Sequence, residues 1–154
     1  MIRKLISRLN RSVSERLVSS RRKYAAPLRV WFEPEISSPH HQEIAKNTAM
    51  HGETVDLSRT GIAFLVSSIR INEKYLVGQD RKLNIEIDLP SGKVNMQLVG
   101  RRYEKVGVHL SMEKYLVGAH IVRIDSESNA VYDHFLRNGT RGLKPSVGLE
   151  LGLD

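Results

Sequence analysis

Leu83-Asn84-Ile85-Glu86-Ile87-Asp88-Leu89-Pro90-Ser91-Gly92-Lys93-Val94-Asn95-Met96-Gln97-Leu98-Val99 decides the fold. Apolar and polar residues alternate on both sides of a Pro-Ser-Gly turn. Alternation of period two sends successive side chains to opposite faces of a strand. Two such runs around a short turn predict a β-hairpin with one face buried. Working outward, Leu28, Val30 and Phe32 alternate with Arg29, Trp31 and Glu33, and Gly52 to Asp56 is an extended run. Ile62 to Val66 reads as a short apolar strand, and Val106 to Leu110 and Val117 to Ile124 are further strand candidates. Six or seven strands separated by turn signals predict a mainly β fold, a small antiparallel barrel or sandwich.

One helix closes the pattern. Asp125 or Ser126 can cap it, Glu127 sits at its positive end, Arg137 near its negative end, and Gly139 stops it. Val131, Tyr132, Phe135 and Leu136 give it a partly apolar face. Pro34 to Lys46, with its His40-His41 pair, reads as a polar loop, and Arg21 to Tyr24 as a basic hinge. At the start of the chain, Ile2, Leu5, Ile6, Leu9, Val13 and Leu17 recur at helical spacing among basic residues. The expected organisation is a basic amphipathic helix over 1–20, a β domain over 21–138 and a flexible tail over 139–154.

The 154 residues carry 24 Lys and Arg against 17 Asp and Glu, a net charge of +7. Nine of the basic residues and a single acid fall within residues 1–29, so the arm holds +8 and the rest of the chain −1. A basic arm on a near-neutral body is built to meet something anionic: nucleic acid, a membrane surface, a phosphate ligand or an acidic partner. The absence of Cys excludes disulfides, Cys-ligated zinc, iron–sulfur clusters and thiol catalysis. No apolar run is long enough to span a bilayer and no secretory h-region follows the basic start, so a cytoplasmic chain is expected. The six His show no ligand spacing for a metal. With no Gly-x-Ser-x-Gly elbow, P-loop or dinucleotide fingerprint, the chain reads as a non-enzyme without a cofactor. Trp31, Tyr24 and Phe32 beside the arm offer stacking surfaces for single-stranded nucleic acid. That reading is disfavoured, because no basic and aromatic face recurs along the strands; Phe32 is expected in the core and Trp31 over the barrel mouth. The string Glu-Lys-Tyr-Leu-Val-Gly occurs at 73–78 and at 113–118, but its flanks differ and it marks no repeat.

Two features carry functional information together. Arg21-Arg22-Lys23 precedes the first strand, and Asp56-Leu57-Ser58-Arg59-Thr60-Gly61-Ile62 forms a turn between two strands. Read alone, the turn is a tight hairpin whose Asp and Ser satisfy their own backbone. Read with the arginines, it is a nucleotide site. Guanidinium groups clamp phosphate and stack on bases, and an Asp carboxylate accepts from the N–H edge of guanine.

Residues 20–138 resemble the PilZ domain family, bacterial receptors for cyclic di-GMP. The family pairs an N-terminal Arg-x-x-x-Arg motif with Asp/Asn-x-Ser-x-x-Gly about thirty residues later, on a six-stranded antiparallel β-barrel followed by a C-terminal helix. Asp56, Ser58 and Gly61 match the second motif, whereas Ala25 or Ala26 stands where a second arginine would follow Arg21 or Arg22. The resemblance implies a cyclic di-GMP ligand. Arg21 and Arg22 would contact phosphates and guanine faces, Asp56 and Ser58 would read a guanine edge, Gly61 would leave room for the ligand, and Arg59 would add charge. Binding would move the N-terminal arm and so reach a protein partner. The alternative is an interaction module of the same fold that binds no nucleotide and docks on a protein or, through residues 1–20, on an anionic membrane surface.

Overall fold

The computed structural model describes residues 21–109 and 112–139. The expected helix over 1–20 and the tail beyond Gly139 lie outside the described residues. The elements in order are β1 (Arg22–Lys23), β2 (Pro27–Phe32), α1 (Pro39–Asn47), β3 (Met50–Leu57), β4 (Gly61–Val66), β5 (Arg70–Ile71), β6 (Lys74–Tyr75), β7 (Lys82–Leu89), β8 (Gly92–His109), β9 (Met112–Ile124) and α2 (Ser126–Asn138). The strands β3-β2-β7-β8-β9-β4 pair in that order, every neighbour antiparallel, and β3 pairs back to β4. This closes a six-stranded antiparallel barrel, which leaves no exposed sheet edge among its strands. The short β1 adds to β3, and β5 and β6 form a separate two-stranded hairpin.

The alternating runs do what their period dictates. Leu83, Ile85, Ile87 and Leu89 of β7 and Val94, Met96 and Leu98 of β8 point inward, with Leu89 opposite Gly92 at the turn. Leu28 and Val30 of β2, Phe64 and Val66 of β4 and Val117 of β9 complete the barrel interior. Tyr132, Phe135 and Leu136 of α2 join the same core, with Tyr24 edge-on to Phe135 at 5.0 Å. Asp125 is the cap of α2, accepting from the Ser128 N–H at 2.8 Å, and Gly139 takes up φ +60° at its end.

Four sequence expectations are corrected. The stretch read as a polar loop contains α1: Ser38 caps it, accepting from the His41 N–H at 3.2 Å, and Pro39 occupies the first turn, where its missing N–H costs nothing. No residue of α1 is buried, so the apolar periodicity that announces a helix is absent. Polar contacts hold it instead. Gln42 donates to Glu33 at 3.1 Å, and Lys46 lies 5.6 Å from the Trp31 ring centroid and 3.6 Å from Glu86. Trp31, expected over the barrel mouth, is instead buried beneath α1 on the outside of the barrel. Val106 onward is no separate strand but the continuation of β8 to His109. The basic hinge is β1, with Arg22 opposite Leu57 and Lys23 opposite Asp56. Thr54 fastens this arm: its buried hydroxyl donates to the Tyr24 carbonyl and accepts from the Ala26 N–H at 2.8 Å.

Glu86 is 8% exposed on the outer face of β7 and is paired with Arg29 and Lys46. Burial works to raise its pKa, but the Arg29 hydrogen bond and the charges of Lys46, Arg29 and Lys93 outweigh it and hold the carboxyl below its ordinary value. A lowered folded pKa adds stability above the unfolded value of about 4.3, and that stability is lost as pH falls through the folded value. Arg29→Ala, which strips a partner from this carboxylate, is expected to cost about 1–3 kcal/mol at pH 7. Urea unfolding should show the gap to wild type narrowing at low pH, where the protonated Glu86 no longer attracts Arg29; a gap independent of pH would assign the loss to packing.

Candidate functional site

The turn between β3 and β4 is a knot of hydrogen bonds. The Ser58 N–H donates to the Gly61 carbonyl at 2.9 Å, and the Ser58 hydroxyl bridges the Gly61 carbonyl and N–H at 3.1 Å each. Ser58 is 1% exposed, and its own carbonyl accepts from the Tyr132 hydroxyl at 2.5 Å. Burial pushes the Tyr132 phenol well above its ordinary pKa, so it remains a donor. Gly61 is needed for close approach rather than for an unusual backbone angle. A Cβ there would lie 2.7 Å from the Ala119 carbonyl oxygen of β9, so the space it saves belongs to the neighbouring strand.

Beside the turn, a cleft of about 310 Å³ opens on the outer surface of β4, β8 and β9. Its floor is low, with Gly61, Ala63, Gly118 and Ala119 contributing little or no side chain. Arg21, Arg101, Arg102 and His120 stand around it. A planar ring can lie flat on such a floor, and guanidinium groups at the rim supply paired donors for phosphate. A second cleft of about 290 Å³ lies over Trp31, Asn84, Gln97 and Arg123. Among the described residues Arg123 is the one cation in its lining, and Glu33 accepts from Asn84 at 2.6 Å and Gln97 at 3.2 Å, so it gathers less positive charge.

The six residues singled out from the sequence divide between two places. Arg21, Ser58 and Gly61 line the cleft, and Arg21 reaches Asp56 Oδ2 at 2.6 Å. Asp56 Oδ1 is enclosed and has no hydrogen-bond partner among the described residues. Arg22 and Arg59 are drawn instead to α2. The Arg22 guanidinium donates to the Leu136 carbonyl at 3.2 and 3.3 Å, lies 5.9 Å from the Phe135 ring and so caps the negative end of the helix. A Cβ at residue 139 would come within 2.6 Å of this guanidinium, the far end of a flexible side chain, so the positive φ is what calls for glycine there. Arg59 pairs with Asp133 at 2.6 Å. The hydrogen bond from Arg137 outweighs a small burial penalty at Asp133, and with the charge of Arg59 it holds that carboxyl below the usual range. The Ser58 hydroxyl, expected to read a base edge, is committed to its own turn.

Ala26, at the place of a second arm arginine, is 0% exposed and faces the core. Sequence reading missed Arg101, Arg102 and His120. Consecutive residues of a regular strand face opposite ways, so nothing in an Arg-Arg pair shows that both meet one cleft. Among the described residues no group of three or more His, Cys, Asp or Glu is placed to hold a metal, and no helix is long and apolar enough to cross a membrane.

The family model for the PilZ domain matches residues 20–138. No curated protein matches the sequence. Among solved structures, the PilZ domain with c-di-GMP of YcgR from Escherichia coli aligns over 77% of this chain and 87% of its own, at 9% identity and TM-score 0.53. The Bacillus subtilis inhibitor of motility MotI/DgrA aligns over 77% of this chain at 15% identity and TM-score 0.50. The apo state of K. pneumonia MrkH aligns over 75% at 12% identity and TM-score 0.53. This chain covers 49% of the MotI chain and 46% of the MrkH chain, about half of each. At these identities the likeness is one of fold.

Two glycines that line the cleft should respond differently to a methyl group. Gly61→Ala drives Cβ into backbone, and overpacking of this kind costs about 1–3 kcal/mol. Gly118→Ala meets only the exposed Arg102 side chain, at 3.3–3.4 Å, which can swing away. Thermal unfolding should show a clear loss for the first and a small change for the second; equal midpoints would mean that β4 and β9 separate freely.

Proposed function

The chain belongs to the PilZ domain family, and we propose that it is a non-enzymatic receptor or adaptor that binds cyclic di-GMP on the outer surface of its barrel. The observation that carries this reading is Arg21, which lines a shallow, positively charged cleft and pairs with Asp56. Asp56 Oδ1 is enclosed and without a partner in this arrangement, and once Arg21 turns away the carboxylate can accept from the N–H edge of a guanine. Arg21 is 61% exposed at the side chain, free to turn from Asp56 to a phosphate, and the glycine and alanine floor admits a flat purine. Ser58 and Gly61 act by shaping the turn that presents Asp56. Arg22 and Arg59 enter only by leaving α2, so ligand contact by either one would loosen the helix from the barrel.

Such an exchange is the route from ligand to output. A ligand shifts an equilibrium only by contacting one state better than the other. Arg21 lines the cleft and contacts Asp56, so a nucleotide that takes this side chain changes how the arm before β2 is held. The receptor would act in the cytoplasm, on a protein partner or with residues 1–20 against an anionic membrane. A second reading, an interaction module without nucleotide, is favoured by one observation. Buried Ala26 cannot present a charged group at the second arm position.

Titration calorimetry with cyclic di-GMP separates the two. Saturable binding by the wild-type chain is expected, with Asp56→Ala and Arg21→Ala each weakening it roughly ten- to a hundred-fold, the worth of one charged hydrogen-bonding partner of ~1.5–3 kcal/mol. Absence of binding at high micromolar ligand, by heat and by NMR, would leave the interaction module.

A further inference from the structure

The family resemblance calls for a second arginine on the arm, and position 26 cannot supply one. The Ala26 N–H donates to Thr54 Oγ1 at 2.8 Å, its carbonyl accepts from the Thr54 N–H at 2.9 Å, and its side chain lies in the core. A charged side chain grown from that backbone would be buried without a partner, at a cost that excludes it. Beyond Arg21, the positive charge at the cleft comes from another part of the chain.

That part is a bulge in β8. Gly100 pairs with Ala119 and Arg102 pairs with Gly118, so Arg101 is an extra residue facing no partner of its own on β9. In regular strands Arg101 and Arg102 would point to opposite faces. The bulge breaks the alternation, and both side chains line the same cleft. The Arg102 side chain lies across Gly118, with Nε 3.3 Å and Cγ 3.4 Å from where a Cβ would stand, so the missing side chain of Gly118 is what lets it lie flat on the strand. Arg102 forms no ion pair among the described residues. Arg101 meets only Asp80, at 3.3 Å, in a pair with both side chains more than half exposed, an arrangement that holds weakly. Both guanidinium groups are therefore available to an anion without breaking a buried contact, unlike Arg22.

Arg102 also has a central position. A further cleft of about 230 Å³ adjoins the first, and the two share Ala63, Arg102 and Gly118. Beyond Arg102 this adjoining cleft is walled by Tyr103, an exposed ring, with Glu104 and Leu116. Two adjoining hollows divided by a cation suit a ligand with two flat rings joined through phosphates.

We propose that the bulged pair Arg101–Arg102 is the phosphate-binding element of this site, taking over the work of the arginine absent from the arm, with Arg102 between the two bases of the cyclic dinucleotide. The inference rests on the receptor reading above. It makes the ligand's grip depend on β8 and leaves Arg22 to the helix.

The test is calorimetric titration of the full chain with cyclic di-GMP at two salt concentrations. The proteins are wild type, Arg102→Ala, the Arg101→Ala/Arg102→Ala double variant, and Lys93→Ala, which removes one charge at the far end of the same strand. Both arginines are exposed, so thermal unfolding should stay within a degree or two of wild type, about what surface substitutions allow. The double variant is expected to bind at least about tenfold more weakly and with a shallower salt dependence, while Lys93→Ala stays close to wild type. Wild-type binding with a double variant within about twofold of it would overturn the role of the pair and leave the receptor reading standing. An equal loss in Lys93→Ala would reduce the effect to net charge and also overturn it. A wild-type chain that binds no cyclic di-GMP would overturn both readings together.

Discussion

The barrel closes where β4 pairs with β3 on one side and β9 on the other, and that closure depends on the four-residue turn Ser58–Gly61. At this seam three backbones come close together. The Ser58 hydroxyl ties the two ends of the turn, Gly61 permits the approach of Ala119, and Tyr132 pins the Ser58 carbonyl to α2. A backbone carbonyl buried against a helix needs a donor, and the Tyr132 phenol, its pKa raised by burial, supplies one. The same turn carries Asp56 at one end and the cleft floor at the other. Structural closure and the presentation of the site therefore rest on the same few hydrogen bonds, and a change that loosens one loosens the other.

Arginines organise the rest. Those of the described chain near the site separate by what they touch. Arg22 and Arg59 are used by α2, one on its terminal carbonyls and one on Asp133. Arg21 is held by Asp56, and Arg101 and Arg102 face the cleft. The separation has an electrostatic cause. The end of a helix is a concentration of unpaired carbonyls, and a guanidinium within reach settles there unless a stronger anion competes. On the opposite side of the barrel Arg29, Lys46 and Glu86 form a network that fixes α1 over Trp31, so basic residues far from the cleft have structural partners of their own.

Much of this could be read in the sequence where the physical signal is local. The runs on either side of Pro90-Ser91-Gly92 determine a hairpin because period two can bury only one face of a strand. Asp125 and Gly139 bracket α2 because capping is settled within a few residues. Where the signal is not local, reading failed. Helix α1 buries nothing and so has no apolar stripe to detect, although Ser38 and Pro39 mark its start. The two-residue β1 exists because β3 is there to receive it, and Arg22 leaves the cleft because the last turn of a helix more than a hundred residues later passes beside it.

The sequence by itself determined a mainly β fold of alternating strands, the capped helix and the Asp-x-Ser-x-x-Gly turn, since each follows from spacing along a few neighbouring residues. Only the tertiary structure decided which cations meet which anions. Ala26 faces inward because Thr54 ties its backbone into the barrel, and Arg101 and Arg102 share a face because β8 carries one residue more than β9 across that stretch. Strand register and the reach of a helix end are set by packing between distant segments, and no local pattern of residue types contains them.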